Sequence, residues 1–152
     1  MGGLHPQSKV KRDAHLADMS DLDGAEPEPE WEPPPDEECD DSTFVMMVPG
    51  ATQEHDRVTV VMTNHNFTDE LVGFAVIQQT YRGGKWHDVM VGDSKHNQAH
   101  VHQYGSSTGL RIGDREVLMP INSSADVQDG YSLTHARVVD DWEQNKRRWE
   151  NG

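Results

Sequence analysis

Two alternating runs, Leu71 to Tyr81 and Trp86 to Val91, are separated only by Arg82-Gly83-Gly84-Lys85. A tight turn between antiparallel strands needs positive φ at its centre, which glycine adopts at little steric cost, so the stretch predicts a β-hairpin. A hairpin must bury one face, and the neighbouring segments extend the pattern. Val58, Val60 and Met62 alternate with Thr59, Val61 and Thr63, as in a half-buried strand of β-branched residues. Gln98 to Tyr104 reads as a further strand, and Leu110–Ile112 with Glu116–Met119 as a short pair around Gly113-Asp114, ended by Pro120. From Asp129 or Tyr131 to Trp149 the period becomes helical, with Tyr131, His135, Val138, Trp142 and Trp149 on one stripe. The expected fold class is α+β: an antiparallel sheet of four to five strands packed against one C-terminal helix.

Charge divides the chain. Residues 1–41 hold thirteen acids against three bases, a net of −10 out of −14 for the whole chain. Between Gly24 and Asp41 lie nine acids, no bases and five prolines, which repel one another and cannot form a ladder. Residues 1–43 are therefore expected to be a disordered acidic arm and residues 44–152 the folded domain. An acidity of this size excludes a protein that coats nucleic acid by charge attraction. The longest apolar run, Phe44 to Val48, has five residues, whereas a spanning helix needs about 20, so no membrane segment is expected. The single cysteine, Cys39, sits among Glu37, Glu38, Asp40 and Asp41, where carboxylates disfavour a thiolate and no internal disulfide can form. A reducing, cytoplasmic setting follows as the expectation.

Chemistry concentrates in one place. Of nine histidines, four lie between His87 and His102. If strands 85–91 and 98–104 pair across loop 92–97, Val89 faces His100 and His87 faces His102, which puts His87, His100 and His102 on one face with Asp93 and His96 at its rim. Imidazole and carboxylate are ligands for first-row metals, and the same groups serve as general acid and base near neutral pH. The metal candidates are His87, His96, His100, His102 and Asp93; the catalytic candidates are His100, His102, Asp93 and His96. The simpler alternative is that histidines on a polar sheet face are merely solvated, and His-x-His alone is not a specific signature. No cofactor is therefore expected, a divalent metal being the alternative. No nucleophile elbow or glycine-rich phosphate loop is present. Lys146, Arg147 and Arg148 are explained by the negative end of a helix dipole.

The residues Trp86, Val89, Asp93, His96 and His100 spell W-x2-V-x3-D-x2-H-x3-H, and the helix adds Ala136, Asp141-Trp142 and Lys146-Arg147-Arg148-Trp149. Over roughly residues 70–150 this resembles a group of small uncharacterised domains from actinobacteria and their phages. The resemblance implies a strand-loop-strand-helix layout and a cytoplasmic, mobile-element setting, and brings no mechanism with it. Members usually carry an arginine at the position of Val91 and an aromatic at that of Gly92. A more distant similarity, in the paired histidines after an aspartate, is to small toxins of toxin–antitoxin pairs.

The leading functional expectation is a cytoplasmic interaction module whose acidic arm engages a basic protein partner or prevents unwanted contacts, with Trp31 in Glu30-Trp31-Glu32-Pro33-Pro34-Pro35 as the candidate partner-binding residue. The alternative is an RNase-like or metal-dependent hydrolase toxin using Asp93, His96, His100 and His102. In it His100 is general base or ligand and His96 the acid or second ligand.

Overall fold

The structure is a computed structural model that describes residues 31–48 and 55–152. Six strands form one antiparallel sheet in chain order: β1 Cys39–Met46, β2 Asp56–His65, β3 Leu71–Arg82, β4 Lys85–Asp93, β5 Gln98–Tyr104 and β6 Arg111–Pro120. Two helices follow, α1 Ser124–Val139 and α2 Trp142–Asn151. The α+β class is as expected, and the turn between β3 and β4 carries Gly83 and Gly84 at φ 64° and 82°.

The strand count differs from expectation because of two segments. Cys39–Met46 lies partly inside the stretch expected to be arm, yet it pairs along its whole length with β2, from Cys39↔His65 to Met46↔Val58. Residues 111–120 form one strand rather than a short pair. Gly113, at φ 72°, absorbs an irregularity in the ladder with β5 and does not turn the chain back. Residues 1–30, most of the expected arm, lie outside the described residues.

The helix is also interrupted, and buried polar groups explain the break. Asn145 donates from Nδ2 to the Val138 carbonyl at 3.2 Å and to Gln78 Oε1 at 3.0 Å, while accepting from Arg137 Nη1 at 2.9 Å. Gln78 Nε2 in turn donates to the Trp142 carbonyl at 2.8 Å. These bonds satisfy the end of α1 and tie α2 to the sheet, which a continuous helix could not do at both points.

Alternation assigns the two faces. Val58, Val60, Phe74, Val76, Met90, Ala99 and Val101 form the main core with Ile121 and with Val127 and Val138 of α1. Close approach of α1 requires small residues: a Cβ on Gly92 would stand 2.3 Å from Thr134 Cγ2, and one on Gly130 3.1 Å from the Ala99 Cβ. The opposite face carries Val61, Ala75 and Ile77, with Val91 against them. Trp31, Pro33, Pro34 and Asp36 share a cavity of about 140 Å³ with those side chains and with Asp93 and His96. Trp31 is half-buried against the protein's own core, so much of the apolar surface expected to dock a partner is used internally. No helix among the described residues is long and apolar enough to cross a membrane.

Candidate metal centre

The face opposite the helices gathers the histidines, and two local irregularities decide which ones. The first is a bulge in β4. Gln78 pairs with Met90 but Gln79 with Asp88, leaving Val89 as an extra residue. One extra residue reverses the facing of everything before it. His87 is thereby turned to the helix side, where its ring centroid lies 5.5 Å from that of Trp149 and Nε2 is 2.9 Å from the Arg82 carbonyl. The expectation that His87 shares a face with His100 and His102 is corrected accordingly.

The second is the β4–β5 register. Asp93 pairs with His100 and Val91 with His102, so the ladder runs further along β4 than the expected Val89–His100 match. An even slip preserves facing, and His100 and His102 still lie together. Asp93 moves from the loop into the sheet. The connection shortens to Ser94–Asn97, where His96 and Asn97 sit at φ 63° and 55°. Left-handed backbone is several-fold enriched in such side chains. Asp93 Oδ1 accepts the Lys95 N–H at 2.9 Å, closing an Asx turn, and Ser94 Oγ accepts the Phe74 N–H at 3.0 Å.

The resulting cluster is buried. His100 is 1% exposed and Asp93 8%, so neither is a solvated surface group. Asp93 Oδ1 lies 3.1 Å from His100 Nε2, and His100 Nδ1 is 3.3 Å from the Gln98 carbonyl. A carbonyl can only accept, which makes Nδ1 the donor and leaves Nε2 to share a proton with Asp93 or to offer its lone pair. The His102 ring centroid is 4.9 Å from that of His100, nearly perpendicular. Ligand atoms of Asp93, His100 and His102 all lie within 4.8 Å of one another. His96 lines the cavity with its ring centroid 6.2 Å from that of His100, outside this trio.

Electrostatics keep Asp93 and His102 ready to donate electron pairs. Burial raises the Asp93 pKa, but the hydrogen bond and charge of His100, with the N–H and charge of Lys95, outweigh it and hold the carboxyl below its ordinary range. His102 is lowered to about 4, first by burial and then by Arg111, His100 and Arg115, with Asp93 partly opposing. It is a neutral imidazole at physiological pH. Burial, and after it Asp36, Glu38, Asp41 and Asp40, raise the thiol pKa of Cys39, which leaves it a weak nucleophile.

Comparison with protein-family models, curated proteins and solved structures finds no match. Sequence reasoning had brought forward Asp93, His96, His100 and His102, but not the Gln98 carbonyl, the Lys95 N–H or the arginines of β6. The signal for Gln98 was present in its position two residues before His100. Arg111 and Arg115 could be related to the histidines only once the β5–β6 register was known.

Proposed function

We propose that the chain is a small metal-dependent hydrolase whose ion is held by Asp93, His100 and His102. The observation that carries this is the pairing of Asp93 Oδ1 with His100 Nε2 at 3.1 Å while His100 Nδ1 faces the Gln98 carbonyl. Ligand atoms around an ion at 2.0–2.2 Å stand roughly 3–3.6 Å apart, and a ligating histidine commonly donates its other N–H to a backbone carbonyl. His102 supplies a third, uncharged donor after a small side-chain adjustment. Two imidazoles and one carboxylate are a ligand set that would hold an ion with room for water, and the chemistry such an ion would supply is a lowered water pKa and hence a nucleophile. Asp93 and His100 fix the ion's position, and His96 at the cavity rim is the side chain suited to protonate a leaving group.

Residue spacing along β5 taken alone argues against a metal, because His100 and His102 are roughly 7 Å apart along the strand. The Asp93–His100 pairing supports the opposite conclusion, since it brings in a carboxylate from the next strand. The reading is tested with a panel of chromogenic acyl esters, phosphomonoesters and phosphodiesters. Turnover that needs added zinc or manganese and disappears in His102→Ala supports it; metal-independent turnover, or full turnover in that variant, contradicts it.

The acidic arm adds an independent proposal, a salt-sensitive contact with a basic partner in the cytoplasm, supported by the net charge of −10 in residues 1–41.

A further inference from the structure

We infer that Arg111 and Arg115 on β6 form an anion subsite beside the Asp93–His100–His102 cluster, and that the group it receives is a phosphoryl group. This rests on the metal reading above and gives its substrate class.

The β5–β6 register assigns the arginines to a face. Directly opposed residues of an antiparallel pair share a face, and Arg111 opposes Tyr104 while Val117 opposes His100. Glu116 opposes Val101 and is ion-paired with Arg137 of α1 at 3.3 Å, which fixes it on the helix side and Arg115 on the other. Four residues along a regular strand would separate the two arginines by roughly 13 Å. Here β5 advances only from Val101 to Gln103 while β6 runs from Glu116 to Ile112, with Gly113 at φ 72° inside the irregular stretch. The bulged strand shortens the span between Arg111 and Arg115 to roughly two residues of β5, about 7 Å, alongside His102.

Neither arginine makes an ion pair among the described residues, in contrast to Arg82 with Glu150, Arg137 with Glu116 and Lys146 with Asp56. Two exposed guanidiniums without an ion pair among the described residues therefore stand beside one cluster. The charge balance then points to the ligand. Histidines hold an ion only as neutral imidazoles, so one carboxylate would stand against a divalent ion and two guanidiniums, an excess of three positive charges that a monoanionic carboxylate substrate would leave largely uncompensated. A phosphoryl group carries up to two negative charges and offers the oxygen pairs that guanidinium forks match. β6 is an edge strand, so one side of the site is open for approach.

The test titrates inorganic phosphate calorimetrically into the full chain, with and without zinc, in wild type and in Arg111→Gln/Arg115→Gln. Phosphate binding to the zinc-loaded chain that weakens at least tenfold in the double variant, with zinc affinity unchanged, is expected. Zinc binding without phosphate binding, or phosphate binding indifferent to the substitutions, overturns the subsite and leaves the metal reading standing. If the chain takes no zinc, the metal reading fails; phosphate binding by the metal-free chain that the double variant abolishes would still support the arginine subsite, and its absence overturns it. Increased self-association of the variant with unchanged phosphate binding would instead assign the arginines to protecting the β6 edge, and likewise overturns the proposal.

Discussion

Asp93 stands directly across the β4–β5 ladder from His100, its Oδ1 3.1 Å from the Nε2 of an imidazole that is 1% exposed. Each group satisfies the other where water cannot. Removing one partner of a buried pair typically costs about 3–5 kcal/mol, because the remaining polar group is stranded. Asp93→Ala also loses the acceptor for the Lys95 N–H, so a loss of about 3 kcal/mol in urea unfolding is expected, and Asp93→Asn, which keeps an acceptor for that turn, should lose less. An unchanged midpoint in Asp93→Ala would mean that something else holds His100.

A second expectation concerns the fit of α1 on β4. A methyl group at residue 92 would meet Thr134 Cγ2 at 2.3 Å and Val101 Cγ1 at 3.0 Å. Overpacking of this kind costs about 1–3 kcal/mol, and Gly92→Ala is expected to fall in that range in thermal or urea unfolding. Thr134→Ser, which removes the nearer methyl, should restore part of the loss in the double variant. Equal stability of Gly92→Ala and wild type would show that the helix can ride further from the sheet.

The pH dependence of the metal-free protein follows from His102. Its pKa is lowered from 6.5 to about 4 in the fold, so between these values the unfolded chain binds more protons than the native one. Stability should therefore fall as pH drops from about 6.5 towards 4 and level off for this group below that. Asp93, also lowered, keeps its contribution through that window and loses it only at more acidic pH, as the folded carboxyl protonates. Denaturation midpoints measured across pH 7 to 4 should show the decline in wild type and a shallower one in His102→Gln. Identical slopes would exclude His102 as its source.

Deletion of residues 1–41 tests the position of the boundary. It removes Trp31, half-buried against the core, and the first three residues of β1, including Asp41, whose Oδ1 accepts from Thr63 Oγ1 at 2.6 Å. Burying part of a large aromatic contributes on the order of 1–2 kcal/mol, and the truncated domain should melt several degrees lower than the full chain. Equal melting temperatures would return this segment to the role of a dispensable arm.

Much of the sheet was legible because strand signals are local. The double-glycine turn, the alternation of Val58 to Thr63 and the limits of Gln98–Tyr104 all appear in the fold. Features set by pairing were not legible. The extra residue Val89, which sends His87 to the helix side, leaves no mark in a run where both Val89 and Met90 are buried. The break at Asp140-Asp141 depends on Asn145 finding Gln78, 67 positions away, and a stripe running through Val138 and Trp142 does not reveal it. At the site, His100 and His102 share a face by simple alternation. The third member depended on Ser94–Asn97 being tight enough to draw Asp93 into the ladder.

Metal stoichiometry tests the central proposal most directly. Full-length protein made without a histidine tag, equilibrated with zinc and freed of excess by gel filtration, should contain about one zinc per chain by elemental analysis. His102→Ala, which removes the least buried of the three side chains and should keep the fold by circular dichroism, should fall to background. Wild-type protein that is folded yet free of zinc, or zinc retained undiminished in His102→Ala, would contradict the assignment of Asp93, His100 and His102 as a metal centre.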